Sequence, residues 1–133
     1  MKQIKKSKWN PKGLLILELF CSTIGAILAG IILLLTLAAP GAYLSFSFAG
    51  VGGYEATGVI GVILGVGIGS LAGLFFLKKW WPQNVSIKFA SIGATLGVVF
   101  NLIFTNIYGA NNIFLVIFTN VIMVIFGFNF NNK

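Results

Sequence analysis

Three polar side chains stand inside long apolar runs, and they are where chemistry would have to happen. Glu18 is the only acid within such a run, and Asn101 and Asn120 are amides in two later runs. An ionisable group inside a membrane segment is a functional expectation by default. Glu18 with the two amides could therefore form a polar site for transport or ion coupling. The structural alternative is simpler. Glu18 lies five residues into its run, so it can stand in the headgroups beside Lys12 or Lys88. A buried amide in lipid wants a partner across a helix contact, and such bonds are typically worth ~0.6–2 kcal/mol. Interhelical bonding is the preferred expectation for Asn101 and Asn120, and an interfacial role for Glu18.

An enzyme is not expected. General acid–base work needs a second group near the first, and the second acid, Glu55, falls on the opposite side of the membrane in the topology below. The chain contains no His. That removes His-based metal sites, His haem ligation and Ser-His or Cys-His nucleophilic pairs. No metal or cofactor is expected. Cys21 is the only cysteine and cannot form an intrachain disulfide; it reads as a small apolar packing residue.

The element that must position these groups is Gly58–Gly73, GVIGVILGVGIGSLAG. Gly61, Gly65, Gly69 and Gly73 recur at spacing four, which on a helix makes one groove without side chains. Each Gly gives up about 1 kcal/mol of helix propensity relative to Ala in water. The run Thr57–Leu77 stays helical in lipid because an unpaired backbone there is far costlier. It spans roughly 31 Å, enough for a hydrocarbon core of ~30 Å. Small residues let backbones approach closely, which is how membrane helices associate. The groove is expected to pack within the chain; an oligomer contact or pore wall is the alternative. No Gly-rich phosphate loop fits, because no GK[ST] follows.

The fold class expected is an all-α integral membrane protein: four transmembrane helices in a small antiparallel bundle with a glycine-zipper second helix. The spans are 13–39, 57–77, 86–107 and 113–128. Residues 1–12 form a basic cytoplasmic N-terminus, and 129–133 a short tail. The first run is too long for a signal-peptide h-region of about 7–15 residues, so an uncleaved anchor is expected; small residues around Ala39–Ala42 would permit cleavage. In this span Ser22, Ala26 and Gly30 make one small stripe and Cys21, Gly25 and Ala29 the next. Either could mate with the Gly61–Gly73 groove. Pro40 and Gly41 should stop the helix. Tyr43–Phe48 alternates like a strand, with Leu44, Phe46 and Phe48 on one side, but has no evident strand partner. Glu55 precedes the second span, where a negative charge favours a helix N-terminus; capping is its expected role, and binding a cation or an external ligand the alternative. In the third span Gly93 and Gly97 continue the spacing-four row to Asn101 and Thr105. The fourth span has few small residues and should face lipid over most of its surface.

Composition agrees. Of 133 residues only 8% are charged, against about 25% in soluble domains, and the mean hydropathy is +1.00. The net charge is +7: nine lysines, at 2, 5, 6, 8, 12, 78, 79, 88 and 133, against two glutamates. The lysines gather at the N-terminus, around one internal loop and at the last residue. That is the pattern of cytoplasmic segments in an even-spanning protein, so both termini are expected inside. Trp9, Trp80 and Trp81 fall on that side; Tyr43, Tyr54 and Tyr108 fall on the other. Lysines placed this way suit anionic lipid, at about 1 kcal/mol each near the surface; nucleic acid is not expected. The absence of Arg with abundant Lys, Asn, Ile and Phe fits an AT-rich bacterial genome, hence the cytoplasmic (inner) membrane.

The first functional expectation is a structural or interaction subunit, or regulator, of a membrane complex, with the bilayer and its own copies or a larger assembly as partners. The alternative is an oligomeric small transporter or channel using the carboxylate and amides. A holin-like permeabilising protein fits the size and basic N-terminus only.

Overall fold

A computed structural model of the protein describes residues 11–81, 85–109 and 111–130. Four helices dominate: α1 Pro11–Gly41, α2 Gly53–Trp80, α3 Ile87–Tyr108 and α4 Ile113–Asn129. The stretches Gly13–Gly41, Gly53–Trp80 and Ile87–Tyr108 are long and apolar enough to cross a membrane; α4 is apolar but shorter. Lys2, Lys5, Lys6, Lys8, Trp9 and Lys133 lie outside the described residues, as does the loop 82–84.

The helices overrun the expected spans. Pro11 and Lys12 belong to α1 and not to a separate N-terminal segment. Pro40 sits within the last turn of α1, and the helix ends at Gly41, two residues beyond the expected span. At the other end of the loop, α2 takes in Gly53 to Ala56. Glu55 therefore lies inside the first turn, not before it. The α2 N-cap is Gly52, with no side-chain cap bond, so capping by Glu55 is corrected to placement in the first turn. Ser86 caps α3 by accepting from the Phe89 N–H at 3.4 Å. Asn129 belongs to α4, not to a tail.

The α1–α2 connection holds a strand pair that the alternation only half suggests. β1 (Ser47–Phe48) pairs antiparallel with β2 (Val51–Gly52), the register placing Ser47 opposite Gly52. The expected strand therefore has a partner, drawn from its own loop. Ala49 and Gly50 make the turn at φ 56° and 80°. Positive φ at both positions matches the right-handed twist of a two-residue hairpin. The Ala49 N–H donates to Asn106 Oδ1 at 3.4 Å, tying the hairpin to the end of α3.

The second helix is the centre of the bundle. Half of its most apolar stretch is buried, against 17% for α1. One face of α2 takes α1; the other takes α3 and α4. Ala26, Val66, Leu74, Val124 and Phe128 are buried side chains of the resulting core. The fourth helix exposes Ile113, Phe114, Phe118, Ile122 and Phe126 and buries one face through Val116, Asn120, Val121, Val124, Ile125, Gly127 and Phe128. Its small residue, Gly127, allows this. A Cβ there would overlap the Phe89 carbonyl of α3.

Candidate functional site

The four glycines of the central row lie against the backbone of α1. A Cβ at Gly61 would overlap the carbonyl of Leu33. At Gly65, Gly69 and Gly73 it would overlap those of Ala29, Gly25 and Cys21. The pairing steps by four on both helices in opposite directions, so α1 and α2 are antiparallel and in register along this seam. Contact is main chain to main chain. Carbonyls of one helix approach the Cα atoms of the other, the geometry of weak Cα–H···O bonds. The mate is the Cys21–Gly25–Ala29 stripe. Ser22, on the neighbouring stripe, adds a long 3.4 Å bond to the Ser70 carbonyl.

The third and fourth helices meet through a second small-residue contact. Gly93 lies against the Met123 backbone and Gly97 against the Asn120 side chain. Both are buried, with Asn101 and Thr105 on the same row. Asn101 is fully buried. Its Nδ2 donates to the Val116 carbonyl of α4 at 3.2 Å. The Thr119 hydroxyl lies 3.0 Å from Asn101 Oδ1 and 2.7 Å from the Leu115 carbonyl. A hydroxyl has one proton to give, so it serves one acceptor at a time.

Among the described residues, the buried side-chain atoms with no hydrogen-bond partner are those of Asn120. It is fully buried, and neither its Oδ1 nor its Nδ2 has a hydrogen-bond partner. Its Oδ1 lies 3.6 Å from where a Gly67 Cβ would be and within overlap of a Gly97 Cβ. The amide therefore occupies space that two glycines, one on α2 and one on α3, leave empty. An unpaired buried amide costs about 1–3 kcal/mol by mutational measures.

Glu18 is buried, 2% exposed, whereas Lys88, one of its two expected neighbours, is exposed. The side chain of Lys12 lies outside the described ones. The partner of Glu18 is Asn129: the amide Nδ2 donates to Oε2 at 2.7 Å and to the Ile125 carbonyl at 3.1 Å. The contact joins the start of α1 to the end of α4, 111 positions apart. Asn120 and Asn129 are separated by roughly 13 Å along α4, so Glu18 and Asn120 do not share one hydrogen-bonded site. The three sequence-predicted polar residues occupy separate contacts.

Asn129, Gly67 and Gly127 complete these contacts and were not among the residues the sequence singled out. Gly127 lies four residues from Met123, whose backbone meets Gly93, so a spacing-four reading of α4 would have found it. Nothing local marks Asn129 as the partner of Glu18. Among the described residues no group of three or more His, Cys, Asp or Glu could hold a metal ion.

Known protein families, curated proteins and solved structures were compared with the chain, and none matches.

Proposed function

We propose that the chain is a small polytopic membrane protein acting as a structural or interaction subunit, or regulator, of a membrane complex, without a catalytic site. In this reading all four helices cross the bilayer. At 17 residues α4 is at the short end of spanning helices, and its pairing with α3 from Val116 to Gly127 supports its crossing. Both termini are cytoplasmic, and the α2 row serves as a glycine zipper to α1. The bacterial inner membrane is the proposed location.

The observation that carries this reading is how the polar groups are used. Ser22, Asn101 and Glu18 each bond from one helix to another. They fasten one helix to the next. Meanwhile α1 turns Ile16, Phe20, Leu28 and Leu35 outward, each more than half exposed. The test is mass measurement and crosslinking after extraction in mild detergent. A larger assembly is expected; a lone monomer with no companion overturns the reading.

One observation favours a transporter or channel as the second reading. The two unpaired atoms of Asn120 sit where helices α2, α3 and α4 meet. Proteoliposome flux decides: no flux from wild type removes this reading, and flux that survives Asn120→Leu and Glu18→Gln removes the proposed sites.

A further inference from the structure

A cleft of about 280 Å³ opens at the hairpin end of the bundle, between α1, α2 and α4. Leu34 and Ala38 form one wall, Val59 and Val62 the second, Ile113 and Val116 the third. Tyr54 and Glu55 stand among its lining residues on the first turn of α2. Both are exposed, and the Tyr54 hydroxyl donates to Glu55 Oε1 at 3.1 Å. That bond orients the carboxylate, and the helix N-terminus favours a negative charge there.

The charge at this end has no described counterpart. Lys78 and Lys79 close the opposite end of α2, roughly 35 Å away at 1.5 Å per residue. That is several Debye lengths at physiological salt. Lys78 is also engaged, donating to the Val85 carbonyl at 2.6 Å. A ligand that satisfies both parts needs an apolar body for the three walls and a positive head for Glu55. The volume is at the low end for small-molecule sites, so it suits one short chain or ring.

We propose that this cleft binds an amphiphile with an alkyl body and an ammonium head, held at the head by Glu55 as positioned by Tyr54. A free alkylammonium and the ammonium of phosphatidylethanolamine share that chemistry.

The test is calorimetric titration of octylammonium, a primary ammonium with N–H donors that the choline head lacks, into the full chain in phosphatidylcholine nanodiscs at low salt, with empty nanodiscs subtracted. Wild type is expected to bind saturably. Glu55→Gln should weaken binding about fivefold, the upper range for an exposed ion pair. Ala38→Phe should abolish it by filling the cleft, with helical content measured in parallel. Should that variant not fold, Val59→Trp fills the cleft from α2. Octyl sulfate, the same chain with an anionic head, should not bind. In phosphatidylethanolamine nanodiscs, lost binding names the lipid as occupant and retained binding names the free amphiphile; both support the cleft. No saturable binding to wild type, equal binding of octyl sulfate, or unchanged affinity in Glu55→Gln overturns the proposal.

Discussion

The two helix pairs of this protein are joined by different physics. The α1–α2 seam is backbone against backbone over four successive turns, from Leu33–Gly61 to Cys21–Gly73. Among the described residues its polar supplement is the long Ser22 bond. The α3–α4 seam has the same close approach at Gly93 and Gly127, then changes character and relies on the Asn101 amide. The first seam depends on the absence of side chains, the second partly on their presence. A small-residue seam tolerates no added volume, whereas an amide seam tolerates volume and depends on hydrogen bonds.

The largest break is expected from Gly69→Leu. Its side chain would meet the Gly25 backbone, which cannot swing aside as a flexible side chain does. Overpacking of this kind costs about 1–3 kcal/mol or more. Detergent-denaturation midpoints should fall accordingly, and crosslinks between α1 and α2 should be lost. A wild-type midpoint would show that the seam is not close packed. Asn101→Leu comes next. It keeps volume but loses the bond to Val116, so a loss of about 1 kcal/mol is expected in the same titration.

Asn120→Leu should move the other way. An apolar side chain of similar size removes two unpaired buried atoms, so stability should rise by up to about 1 kcal/mol. A clear loss instead would mean that the amide has a partner in the bilayer, such as bound water. Ser22→Ala is the smallest change. A 3.4 Å bond is near the limit of hydrogen bonding, and a shift within about 0.5 kcal/mol is expected.

Much of this was legible in residue spacing. Four apolar runs gave four helices, and the row Gly61–Gly73 pointed to two candidate stripes on α1, of which Cys21–Gly25–Ala29 meets it. Period and size are local properties, and a helix converts them directly into faces. What the spacing could not convey was which partner a polar group finds. Asn101 and Asn120 look alike in sequence, yet one bonds to a carbonyl and the other faces two glycines. For Glu18 the sequence offered Lys12 or Lys88 as neighbours, yet its partner is Asn129 at the end of α4, which only tertiary folding brings there. The hairpin was hidden for a similar reason. Its strands are two residues each, and the turn holds Ala49 at a positive φ that alanine seldom adopts.

Helix length carries one more consequence. At 31 and 17 residues, α1 and α4 measure roughly 46 Å and 26 Å. In a bilayer these two flanks would demand different hydrocarbon depths of the lipids beside them, and hydrophobic mismatch costs a fraction of a kcal/mol per Å. Lipids would be stretched along one flank and shortened along the other. Such a lopsided annulus is least strained where the membrane already changes depth, at the rim of a larger protein or the border of a thicker domain.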